Sequence, residues 1–137
     1  MSRNDSTGAE SAARYFLASY SYLLASGKVK DWDALSESGC VFCASARKTA
    51  LELAKHHQHV IGGEIRVDSI SMSETDPGYS YLVMTRITQA PLATADSNGD
   101  PVGEVGTSTK TPANLVLHWK NNDWLLRELD FAADPLG

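Results

Sequence analysis

Gly62-Gly63-Glu64-Ile65-Arg66-Val67-Asp68-Ser69-Ile70-Ser71-Met72 is the stretch in which the apolar period changes. Before it, apolar residues recur every three or four positions, as on the buried stripe of a helix; after it they alternate, as on a half-buried strand. Ile65 and Val67 share one phase and Ile70 and Met72 the opposite one. The slip at Asp68-Ser69 reads as a β-bulge, which bends a strand and curves its sheet. Helices first and strands afterwards predict an α+β fold: three N-terminal helices packed on a curved, mostly antiparallel sheet in the shape of a cone.

Upstream, Thr7-Gly8-Ala9-Glu10 matches a capping box, with Thr7 taking the N3 amide and Glu10 reaching back to the Thr7 amide. Ala12, Ala13, Phe16, Tyr20, Leu23 and Leu24 follow at helical spacing, and Gly27 supplies the stop. A short second helix is expected around Trp32, Ala34 and Leu35, ended by Gly39. The third is expected over about 43–59, with Ala46, Ala50, Leu53 and Ala54 on one stripe and Gly62-Gly63 closing it. Residues 1–8 are expected to form a disordered N-terminal tail and residues 9–133 a single domain.

Downstream, Asp76-Pro77-Gly78 is a turn, 79–89 a long alternating strand, and 96–101 a loop. Strands over 114–120 and 123–131 are joined at Asn121-Asn122. If those two asparagines form a two-residue turn, Trp119 faces Trp124 and Leu117 faces Leu126 on the core side. His118 then faces Leu125, and Val116 faces Arg127, on the other. Carried onward, the core side reaches Glu128 and Asp130. With Tyr20 approaching from the first helix, these two carboxylates are the ligand-pocket candidates, because a desolvated carboxyl can serve as a general acid or base. The alternative is that both sit at a solvated strand end.

The 137 residues fit one domain, and 42% hydrophobic against 21% charged residues is an ordinary globular composition. The formal charge is 12 − 17 = −5, with no Lys/Arg run, so nucleic acid and anionic membrane are not expected partners. No apolar stretch approaches the length of a membrane span. The polar start lacks the apolar core of a signal peptide, which fits either a cytoplasmic protein or one whose export signal lies upstream of Met1.

Cys40 and Cys43 are the only cysteines. A thioredoxin-like redox pair needs a preceding strand in a βαβ unit, which is missing here. Cys40, Cys43 and His56 imitate three ligands of a zinc finger. A helix from 43 to 56, however, puts its ends about 20 Å apart at about 1.5 Å per residue, and zinc holds its ligands within about 2.3 Å. A structural disulfide fits a pair spaced i, i+3 at a helix start; two buried free thiols are the other reading. His56, His57 and His59 suit a helix C-terminus. Asp96-Ser97-Asn98-Gly99-Asp100 opens like a calcium loop, but Pro101 and Thr107 occupy the positions that need Gly and Glu, so it reads as a turn. The aromatics Tyr15, Phe16, Tyr20 and Tyr22 read as core with one surface tyrosine. No cofactor motif and no metal site are expected.

The opening helix ending at Gly27, the Trp32-Asp33-Ala34-Leu35 helix and the closing hairpin with Trp119 and Trp124 resemble the nuclear-transport-factor-2-like (SnoaL-like) superfamily. Ala13-Arg14-Tyr15-Phe16, Cys40-Val41-Phe42-Cys43-Ala44 and Gly62-Gly63 are similar to signatures of a family of cell-envelope lipoproteins from high-GC Gram-positive bacteria. The resemblance implies an exported, lipid-anchored domain with a Cys40–Cys43 disulfide and implies no activity. The expected function is non-catalytic binding of a small apolar ligand or a protein partner, with a homodimer through the sheet as one form. The alternative is an isomerase, cyclase or dehydratase using pocket carboxylates.

Overall fold

The computed structural model describes residues 3–131. Helix α1 (Ser6–Ser26) begins two residues earlier than the capping box predicts, because Asp5 is the N-cap and its carboxylate accepts the Gly8 amide at 2.9 Å. Aspartate is at least as good a cap as threonine. Ala9, Ala12, Ala13, Phe16, Leu17 and Leu23 form its buried stripe, and the alanines let the helix approach the sheet closely. Gly27, at φ 71°, closes the helix by donating to the Leu23 carbonyl. Residues expected in a tail are therefore packed: Asn4 donates to the Gly78 carbonyl and accepts from the Tyr81 hydroxyl, and the Trp124 indole donates to the Arg3 carbonyl. Residues 1, 2, 132 and 133 lie outside the described part. On α1 two tyrosines rather than one, Tyr15 and Tyr22, are exposed.

Helix α2 (Lys30–Leu35) is followed by α3 (Val41–Lys55). The third helix ends short of the expected 59, because His57 takes a left-handed backbone (φ 57°) and His59 opens a strand. Seven strands follow: β1 (His59–Gly62), β2 (Ile65–Asp76), β3 (Ser80–Gln89), β4 (Leu92–Ala95), β5 (Pro101–Val102), β6 (Thr109–Lys120) and β7 (Asp123–Asp130). All named strand pairs are antiparallel, in a four-stranded sheet of order β2-β3-β6-β7 and a three-stranded one of order β1-β4-β5. The small sheet was not expected from the sequence. Its strands are too short to carry a period. The expected bulge lies between Val67 and Ser69.

β2 and β3 form a hairpin around Gly78, and the same register runs on into β1 and β4, from Ile65↔Gln89 to Gly62↔Leu92 and His59↔Ala95. The ribbon turns the corner between sheets at Gly62 and Gly63, both left-handed, where Gly63 donates to the Pro91 carbonyl and Ala90 to that of Glu64. The last hairpin turns at Asn121 and Asn122, whose positive φ values (54° and 61°) belong to a type I′ turn.

The helices cover one face of the larger sheet. Between them lies a core of Phe16, Leu17, Leu23, Trp32, Val83, Ile87, Leu115, Leu117, Trp124 and Leu126, each at most 2% exposed. Trp119 is half-buried and packs on that core. These side chains occupy the interior of the cone. No helix among the described residues is long and apolar enough to cross a membrane.

Candidate functional site

The β6–β7 register holds as expected from Lys120↔Asp123 to Leu117↔Leu126 and then slips, so that Val116 faces Glu128 rather than Arg127. Arg127 is the extra residue of a bulge. Past it the phase inverts: Leu129 points into the core, and Glu128 and Asp130 face outward, exposed. The expectation that these carboxylates continue the tryptophan face is corrected by this one residue.

Outward, Glu128 and Asp130 line an open groove of about 570 Å³. Its other walls are Val41, Phe42 and Ser45 from the start of α3, Leu82, Asn114 and Val116 from the outer sheet face, and Leu129. Tyr20 is not among them. Its ring packs tilted against that of Phe42, with centroids 5.2 Å apart, within an aromatic cluster completed by Trp32 and Phe131. Burial pushes its hydroxyl above the usual tyrosine range. The three candidates do not line one groove: Glu128 and Asp130 do, whereas Tyr20 packs in the aromatic cluster with Phe42, which is also a groove wall.

The wall contributed by α3 is fixed by its cysteines. Cys40 and Cys43 are joined in a disulfide with Cα atoms 5.2 Å apart, and both are buried. Cys40 is the N-cap, its Sγ accepting the Cys43 amide at 3.1 Å. So short a loop removes only about 2 kcal/mol of unfolded-state entropy; its effect is local, setting where Val41 and Phe42 begin. Trp32 locks the same corner from α2, its indole donating to the Cys43 carbonyl at 3.0 Å.

A second constellation was not foreseen. Glu37, in the loop between α2 and α3, reaches across β7 to β6. One carboxylate oxygen takes the Lys120 ammonium and the other lies 2.6 Å from His118 Nδ1. Tyr79 stacks on the His118 ring at 4.5 Å, and its hydroxyl lies 3.2 Å from the same nitrogen. The Glu37 side chain is only 10% exposed. Burial by itself pushes its carboxyl up; the Lys120 hydrogen bond and the charges of His118 and Lys120 outweigh that and hold it below the usual glutamate range. No local signal could have shown this, since the partners lie far apart in sequence. The residue types suit proton transfer, but the contacts clamp the disulfide loop to the sheet, together with the bond from the Glu37 amide to the Leu126 carbonyl.

A carboxyl held below its unfolded value stabilises the fold above that value and stops doing so as pH falls through the folded one. Glu37→Gln is therefore expected to cost about 1–3 kcal/mol at neutral pH. The gap between the two proteins should close as pH drops below about 4.3, the unperturbed glutamate value. Urea unfolding of both across pH 3–7 checks this; a pH-independent gap contradicts it.

Comparisons with known proteins bear on the fold. The model of DUF6318, described as a family of unknown function, matches residues 1–130. No curated protein matches significantly. Among solved structures, the chain is similar to the intermembrane space region of the chloroplast protein ARC6 (TM-score 0.71, 14% identity, covering 93% of this chain and 96% of that one). It is also similar to a putative calcium/calmodulin dependent protein kinase II association domain from Xanthomonas campestris, of the nuclear-transport-factor-2-like fold (TM-score 0.50, 13% identity, 88% and 82% covered). At such identities the likeness concerns the fold alone.

Proposed function

The chain belongs to the DUF6318 family of unknown function, and from that premise we propose that it is a non-catalytic docking domain working outside the cytoplasm, seating a protein partner in the groove between α3 and the outer face of the sheet. One observation carries this reading. The interior of the cone, where an enzyme of this shape would hold a substrate, is occupied by Phe16, Trp32, Trp124 and Leu126, whereas a groove with both apolar and acidic walls lies open outside it. The disulfide supports an oxidising compartment, and anchorage to the cell envelope is part of the proposal. The isomerase, cyclase or dehydratase alternative needs acid and base groups free to act on a substrate, and the contacts of Glu37 and His118 are already used in the clamp.

Photo-crosslinking in living cells tests the docking. A benzophenone amino acid at Val41, 82% exposed on the groove wall, is expected to give a discrete covalent adduct. The same group at Val102, exposed on the small sheet, is expected to give none. Matching adduct patterns at both positions, or no adduct at Val41, would overturn the reading.

A further inference from the structure

The groove carries charge that no cation among the described residues neutralises. Its walls hold Glu128 and Asp130 and no cationic side chain. Among the described residues neither carboxylate takes part in an ion pair or a side-chain hydrogen bond; the cations that do pair go to Asp5, Asp33, Asp68 and Glu37. In a chain of formal charge −5, these two acids add to a field that attracts positive ligands.

The backbone beside them fixes the shape of the ligand. β7 is the outer strand of its sheet, and its first half is covered, since Ser36 bridges to Leu126 in parallel and the Glu37 amide donates to the Leu126 carbonyl. Past Leu126, β6 pairs with Glu128, Leu129 and Asp130 on one side, and no strand among the described residues pairs on the other. A strand edge left open beside apolar pockets is the setting in which a sheet gains a strand from another chain. Val41, Phe42 and Leu129 supply those pockets.

We propose that the groove takes an extended cationic segment of a partner protein. The segment's main chain continues the sheet beside residues 128–130, an apolar side chain rests on Val41 and Phe42, and Lys or Arg side chains pair with Glu128 and Asp130. This rests on the docking reading above and narrows it from any partner to a basic one. The pairing is electrostatic at an open surface, so it confers selectivity and salt dependence more than raw affinity.

The probes are two synthetic peptides of equal length with the same alternating Val and Ser residues, one carrying two Lys and the other two Glu at matching positions. Each is titrated into nitrogen-15-labelled protein and followed through backbone amide shifts. The Lys peptide is expected to move amides at 41–45, 114–116 and 128–130 and to bind about tenfold more tightly than the Glu peptide. The doubly substituted Glu128→Gln, Asp130→Asn protein, altered only at exposed side chains, should lose that preference; Asp96→Asn, in the β4–β5 loop, should keep it. Equal binding of both peptides at the groove would overturn the cationic assignment and leave docking standing. No groove shifts with either peptide would overturn both. Groove shifts that track protein concentration, with a dimer in sedimentation velocity, would assign the face to a second copy and overturn the proposal.

Discussion

Trp32→Ala is expected to lower the free energy of unfolding by about 3–5 kcal/mol, the cost of emptying a buried tryptophan site. The ring is 2% exposed, and its neighbours Tyr20 and Phe42 lie at centroid distances of 6.1 and 6.5 Å. Truncation also strands the Cys43 carbonyl, which the indole satisfies at 3.0 Å. Moreover α2 has six residues, too few to be helical without packing. A loss of this size is a large share of the ~5–15 kcal/mol that holds an ordinary domain together. Trp32→Phe separates the contributions: it keeps most of the packing and loses the hydrogen bond, for a cost of about 1–3 kcal/mol. Denaturant midpoints at unchanged m-value measure both. A cost below about 1 kcal/mol for Trp32→Ala would mean that α2 is not anchored through this ring.

Gly62→Ala is expected to cost about 2–5 kcal/mol from two sources: a left-handed backbone, about 1–2 kcal/mol for a residue with a Cβ, and overpacking, about 1–3 kcal/mol. The new Cβ would stand 2.3 Å from the Pro91 carbonyl oxygen, and no rotamer can relieve a clash between Cβ and backbone. Gly99→Ala is the control. Its φ of 83° carries the same backbone penalty, with nothing within 4 Å of the new atom. Thermal unfolding of the two variants should therefore differ by the steric cost alone. Equal losses would remove the close approach at the corner as the reason for glycine there.

The larger sheet was legible because its strands are long enough to show a period. The bulge at Asp68-Ser69 could be read as a phase change between two apolar pairs, and the Asn121-Asn122 turn fixed the register as far as Leu117. The bulge at Arg127 escaped, and with it the true facing of Glu128 and Asp130. Its mark is faint: the buried positions Trp124 and Leu126 are followed by Leu129, a step of three where a regular strand takes two. Flanked by Leu125 and Leu126, that step reads in either phase. The start of α1 was misplaced because Asp5 and Thr7 are both competent caps, and only the contacts of Asn4 and Arg3 with the sheet decide between them. Glu37 was invisible for another reason. A loop carboxylate acquires its meaning from His118 and Lys120, brought to it by the fold.

The unbroken antiparallel ribbon from the Gly78 turn to His59↔Ala95, bulged on the way but never interrupted by another strand, also bears on how the chain finds its shape. Taken as a separate sheet, β1 and β4 would have to meet across the whole stretch from Gly63 to Pro91, at the entropic cost of closing a long loop. As the far end of a ribbon already zipped through β2 and β3, they meet one pair at a time, and each new pair closes almost nothing. Gly62 and Gly63 are then more than a hinge of shape. They let a single zipper, begun at one turn, run through a corner and finish a second sheet without a second search.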